Sequence, residues 1–204
     1  MFGPDIRCMM REKPSVDFES LATEKTVLFI SSSPVNYSMH LLVNLFYSQA
    51  FKSLFEFAEE RREYDYRLPR NVHILADDFA TGSKIKGFSD YISVFRSAGI
   101  SIEMLIQSES QLKSMYSEAE ATTIINNCDT YAFLGCNDLV TAKNISDRMN
   151  LPLDKVLALQ VGKVYIFRRG GNPVETSRYD ILRNPEYQRV TREYETKIRN
   201  DRDR

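Results

Sequence analysis

Two adjacent carboxylates, Asp77 and Asp78, follow directly on the apolar run Val72-His-Ile-Leu-Ala76. Apolar residues running into two acids form the Walker B pattern, whose first carboxylate helps hold a nucleotide-bound magnesium. The second acid stands where many such ATPases keep the group that polarises the attacking water. Acids after a strand also start a turn or cap the next helix, and on these residues alone both readings stay open. The next apolar run, residues 100–106, ends in Gln107-Ser-Glu-Ser-Gln-Leu112. A glutamine in that place reaches a terminal phosphate or the lytic water, and Ser108 equally reads as the polar cap of the following helix. Arg96 lies near the end of the helix between the two runs, just before Gly99. There it complements the helix dipole, or serves as an arginine finger reaching the γ-phosphate across a subunit boundary.

Other chemistries fit less well. A phospho-accepting receiver domain needs a further Asp at a later strand end, where this sequence has Gln107. Zinc and metal-hydrolase sites fail on ligands, since the histidines are two, His40 and His73, with no Cys at ligand spacing. Cys128 and Cys136 flank a strand and read as small buried residues. The 204 residues hold no G-x-x-x-x-G-K-[ST]. Gly82-Ser83-Lys84 has the wrong order and follows the acidic strand. One wall of an ATP site is present without a phosphate cradle.

The elements that must position these residues alternate. A buried strand is expected at residues 26–32, closed by Ser33-Pro34, and an amphipathic helix at 39–60 carries Leu42, Leu45, Phe46, Ala50, Leu54, Phe57 and Ala58. Strands follow at 72–76, 100–107, 130–134 and 164–168, with helices at 88–97, 109–116, 118–126 and 139–149. A polar helix of alternating charge closes the sequence over 185–204. Strands alternating with helices mean an α/β domain with a mainly parallel sheet flanked by helices, and ligands sit at the C-terminal strand ends of such sheets.

Composition narrows the class. Hydrophobic residues at 43% and charged residues at 27% suit a globular domain. Lys+Arg 27 against Asp+Glu 28 leaves no bulk basic charge for nucleic acid, so any such surface is a local patch. Three cysteines, with Cys8 the third, exclude a disulfide framework and suggest a reducing compartment. No apolar run approaches the roughly 20 residues of a membrane span, and residues 1–10 do not read as a signal peptide.

Taken in order and at their spacing, the segments from about Val16 to Gln188 resemble the C-terminal part of the TraG/TraD-type coupling ATPases of conjugative type IV secretion. The Gram-positive mobile-element branch is the nearest likeness. Carrying it are Asp17-Phe-Glu-Ser-Leu21, Glu24-Lys-Thr-Val-Leu-Phe-Ile-Ser31, Asn44-Leu-Phe-Tyr-Ser-Gln49, Asp77-Asp-Phe-Ala80, Gln107-Ser-Glu-Ser-Gln-Leu112 and Ile125-Asn-Asn-Cys-Asp-Thr-Tyr131, with the strand over 162–168. The resemblance implies a RecA-like, partial P-loop NTPase fold lacking the Walker A half, spanning 21–182 between a poorly ordered lead-in (1–20) and a polar tail (183–204). It implies that Asp77 is the magnesium-side acid and Asp78 the catalytic acid, that Gln107 senses the γ-phosphate and that Arg96 is the finger. Asp78 stands where the wider family often has Glu, one methylene longer. ATP and Mg2+ would be the cofactors of the complete protein, a homo-hexamer at the cytoplasmic face of the membrane. Its partners would be the relaxase with its single-stranded DNA, the type IV secretion channel proteins and the missing N-terminal P-loop half. The expectation is a truncated product or an excised segment, inactive alone. The alternative is a non-catalytic docking module for relaxosome accessory proteins.

Overall fold

The computed structural model describes residues 16–32 and 37–202. Cys8 and the turn at Ser33-Pro34 lie outside them. The chain divides into two compact units. The first holds the described residues up to Asp129 together with Cys136–Asn144; the second holds Thr130–Gly135 and Ile145 onward.

In the first unit a short helix α1 (Ser20–Thr23) precedes the long helix α2 (Tyr37–Glu59) and a single 3-10 turn at Arg62–Tyr64. Then come β1 (Val72–Ala76), α3 (Phe88–Ala98), β2 (Ile100–Met104), α4 (Glu109–Tyr116) and α5 (Glu118–Asn127). β1 and β2 pair in parallel, Val72 opposite Ile100 through Ala76 opposite Met104. Period-two alternation sorts the sheet: Val72, Ile74, Ile102 and Met104 pack on the core, while His73, Leu75, Ser101 and Glu103 face outward. α3 forms because Phe88, Ile92 and Phe95 recur at four- and three-residue spacing, which puts them on one buried face. There Phe95 meets Phe51 of α2, ring centroids 5.1 Å apart. The helix stops at Gly99, which takes φ +83° and donates its N–H to the carbonyls of Arg96 and Phe95. Only glycine adopts that backbone routinely, so the chain turns there directly into β2.

The strand expected at 26–32 is not formed. The segment takes no regular secondary structure and has no ladder partner among the described residues, and Val27 (75%) and Phe29 (91%) are exposed. Apolar, β-branched residues say that a segment suits a sheet; a ladder also needs a free edge beside it. β2 also ends earlier than the apolar run suggests, at Met104.

The second unit is built on β3 (Thr130–Phe133), β4 (Lys163–Arg168) and β5 (Val174–Ser177), paired antiparallel in that order. α6 (Leu139–Met149) passes along the chain from the first unit into the second. α7 (Leu153–Leu157) precedes β4, a 3-10 turn covers Ile181–Arg183, and α8 (Pro185–Arg202) follows. Within this unit Arg148 lies over Tyr131 at 5.1 Å, and Tyr131 meets Phe167 edge-on at 5.9 Å. The parallel α/β arrangement belongs to β1 and β2; the antiparallel hairpin of β4 and β5, turned at Gly170 (φ +76°), adds a second kind of sheet. No described helix is long and apolar enough to cross a membrane.

Candidate functional site

Parallel pairing brings the C-terminal ends of β1 and β2 to one edge, and Asp77 follows the last residue of β1. The pairing runs on past the strands. Leu105 N–H donates to the Ala76 carbonyl at 2.9 Å, and Phe79 N–H donates to the Leu105 carbonyl at 2.9 Å. Asp77 and Asp78 therefore stand out as a two-residue tip between two bonded positions. Asp78 adopts φ +47°, a left-handed backbone that Asp tolerates better than most residues at a cost of about 1–3 kcal/mol. Three bonds hold the tip. Asp78 N–H donates to Asp77 Oδ1 at 3.0 Å, and the Thr81 N–H and hydroxyl each donate to the Asp78 carbonyl at 2.8 Å. Both carboxylates are exposed.

Gln107 lies on the neighbouring strand's continuation, also exposed, two residues beyond Leu105. The helix after it is fixed from several sides. Ser108 Oγ accepts the Gln111 N–H at 3.1 Å, the N-cap that its sequence position suggests. The Glu109 N–H donates to Thr141 Oγ1 at 2.9 Å, and the buried Glu109 carboxylate accepts from Asn144 Nδ2 at 2.6 Å. Asp138 caps α6 with Oδ2, which accepts the Thr141 hydroxyl at 2.6 Å, the Thr141 N–H at 2.9 Å and the Ser110 hydroxyl at 2.8 Å. The Thr141 hydroxyl and then its N–H hold the Asp138 carboxyl below its usual range. These bonds fix the start of α4, two residues after Gln107. Sequence reasoning passed over Asp138, Thr141 and Asn144, although an Asp directly before the first apolar-periodic residue, Leu139, is an N-cap signal.

Arg96 is not brought to this edge. It sits in the last turn of α3, beside the start of β2, so a strand of five residues lies between its level and Asp77. At ~3.3 Å per residue that is roughly 16 Å. Its side chain is exposed and makes no ion pair or hydrogen bond among the described residues; Glu103 is 3.9 Å from His73 instead. Within one chain Arg96 and the acids therefore cannot act on the same phosphate.

The donor set at the tip suits one kind of metal. Among the described residues no group of three or more His, Cys, Asp or Glu side chains could hold an ion by itself. Asp77 has one oxygen committed to Asp78 N–H. A magnesium that keeps most of its waters and shares nucleotide phosphates needs only one or two carboxylates, and Asp77 and Asp78 meet that need. Cys128 and Cys136 are half-buried, and burial pushes both thiols up, away from nucleophilic chemistry.

Comparisons with known proteins follow the same residues. A family described as "TraM recognition site of TraD and TraG" matches residues 71–149. The comparison with curated protein sequences finds no match. Among solved structures the chain shares its fold with the bacterial plasmid coupling protein TrwB. Against TrwB in complex with ADP and Mg2+ the TM-score is 0.61 at 18% identity, covering 80% of this chain and 43% of that one. For the complex with a non-hydrolysable ATP analogue the TM-score is 0.58 at 18% identity, covering 70% and 37%. The unbound monoclinic form of TrwBΔN70 gives 0.57 at 17% identity, with the same coverage. The chain thus spans about two fifths of the length of these structures.

Proposed function

We propose, for a chain whose residues 71–149 match the family described as the TraM recognition site of TraD and TraG and whose fold is shared with TrwB, that it forms the Walker B side of a conjugative coupling ATPase motor. The observation that carries this reading is the shared edge: parallel β1 and β2 present Asp77, Asp78 and Gln107 together. Bound Mg·ATP would supply the phosphoryl group and the charge that offsets its transfer. Asp77 would take the metal side and Asp78 would orient and deprotonate water. Gln107 would report the terminal phosphate to α4. Arg96, on the opposite edge, can serve only a neighbouring subunit, which is how a ring such as the proposed homo-hexamer would use it. The complete motor would work at the cytoplasmic face of the membrane, driving relaxase-bound single-stranded DNA toward the secretion channel.

The isolated chain should hydrolyse no ATP and bind it only weakly. Phosphate affinity comes chiefly from a glycine-rich backbone cradle and its lysine, which these 204 residues do not contain. Calorimetry of the purified chain with Mg·ATP tests this; magnesium-dependent micromolar binding would overturn it. A second reading has its own support in the family description, which concerns TraM recognition. On that reading the chain docks an accessory protein of the relaxosome without turning over nucleotide. Titration with a purified TraM-type protein separates the two, since saturable binding that Asp77→Asn leaves unchanged belongs to docking.

A further inference from the structure

The acid tip is held from below by a residue that touches no part of the edge itself. Tyr116, the last residue of α4, is fully buried. Its ring stacks on Phe79, centroids 5.6 Å apart and planes 7° from parallel, and Phe79 directly follows Asp78. Its hydroxyl oxygen accepts the Ile85 N–H at 3.0 Å, in the middle of the loop that leads from the acids to α3. Phe88, where that loop ends, lies 6.0 Å away on a tilted plane. The stretch from Phe79 to Phe88 thus wraps around one phenol at its start, middle and end.

Other bonds to this loop do less for the tip. Asn44 Nδ2 donates to the Lys84 carbonyl at 2.6 Å, and Ser83 Oγ donates to the His40 carbonyl at 2.9 Å. Lys84 Nζ donates to Glu120 Oε2 at 2.8 Å and sits 5.5 Å from the Tyr116 ring. All three hold the loop, none reaches Phe79, and the ion pair is partly exposed, where such pairs contribute little. Phe79 also meets Phe88 at the loop's end, ring centroids 4.9 Å apart, but Tyr116 is the contact that joins the residue after Asp78 to the middle of the loop at Ile85. It also joins both to α4, whose other end carries Ser108 next to Gln107.

We propose that Tyr116 is a positioning residue: through Phe79 and Ile85 it sets the Asp77-Asp78 tip against the helix that follows Gln107. A shift of α4 is then felt by the acids and by Gln107 together. The proposal rests on reading these residues as a nucleotide edge.

The test uses the whole chain without nucleotide. Tyr116→Phe keeps the ring and removes the hydroxyl. The expected result is about tenfold faster amide exchange at Ile85, the loss of one hydrogen bond, with displaced amide and carboxyl resonances at residues 77–81. Amides of Ile102 and of Ile166 in β4 should stay in place, and so should all these signals in Lys84→Ala. Phe79→Leu is the second variant. It removes the stacked ring from the tip's side and leaves the hydroxyl, so the Asp77 carboxyl resonance, two residues from the change, should move while Ile85 stays protected. If Tyr116→Phe speeds exchange at Ile85 but leaves residues 77–81 unmoved, Tyr116 is only a loop tether and the proposal is overturned. It is equally overturned if Phe79→Leu leaves the Asp77 carboxyl resonance in place. Failure of the nucleotide reading would show separately, as unaltered ATP turnover in a complete motor carrying Asp77→Asn.

Discussion

A buried phenol and a capping carboxylate give the first unit opposite sensitivities to pH. Burial pushes the Tyr116 hydroxyl up from 10.0 to about 12. A tyrosine whose folded value is raised binds its proton more tightly in the native state, so its contribution is complete below pH 10. It is lost as pH rises toward 12, a difference on the order of 2 kcal/mol. Denaturant melts at pH 9 and pH 11.5 should show this loss in the wild type and a much flatter profile in Tyr116→Phe. Asp138 works at the acid end. Its carboxyl is held below its usual range by Thr141 and Ser110, so its contribution is present above the ordinary carboxylate range and disappears as pH falls through the lowered value. Asp138→Ala removes an N-cap and strands two hydroxyl donors, for a loss of about 1–2 kcal/mol at neutral pH. Urea melts should show a lower midpoint with an unchanged slope.

At the scale of elements, the structure separates what hydrophobic pattern encodes from what it leaves open. β1 is found at the residues its apolar run marks, and α3, α4 and α6 begin where theirs do. In each, apolar spacing matches one period and a cap, glycine or proline marks the end. The position of Asp77 and Asp78 was legible for the same reason, because a strand end is a local feature. Pairing is not local. Thr26-Val-Leu-Phe-Ile has the composition of a buried strand and forms no ladder among the described residues, while the shorter, mostly polar Val174-Glu-Thr-Ser177 pairs with β4. Tyr116 was hidden for a related reason: an aromatic at a helix end reads as core until its hydroxyl is seen to reach Ile85. A mutational contrast follows. Phe29→Lys, at a 91% exposed position, should change stability by no more than ~0.5 kcal/mol. Phe95→Ala, buried between α2 and the sheet, should cost about 3–5 kcal/mol by transfer loss and cavity formation. Chemical denaturation measures both; a large loss at Phe29 would show that the segment around it is packed in solution.

For the molecule as a whole, the opposite placement of Arg96 and the acids turns a question of chemistry into one of assembly. A helix connecting two parallel strands must run back against them, so the end of α3 and the acid tip fall on opposite edges of the sheet. An arginine there has two uses. As a helix-end cation it complements the dipole, contributing about 0.3–1 kcal/mol to stability and nothing to turnover. As a finger presented to a neighbouring subunit it contributes roughly 10³–10⁵ in turnover and almost nothing to stability. Its exposed side chain makes no bond to Asp90 or Glu103, so removing it from the isolated chain should shift the melting temperature by at most a few degrees. The decisive measurement needs a complete ring containing the P-loop portion. There Arg96→Ala should abolish DNA-stimulated ATP hydrolysis while ATP affinity is kept, and mixing it with an Asp78→Asn ring should restore part of the turnover. Restoration is expected because an intact arginine from one subunit then faces an intact acid pair in the next. If Arg96→Ala turns over ATP at the wild-type rate, or if mixed rings recover nothing, the arginine is a helix-end cation and the proposed motor draws its finger from another residue.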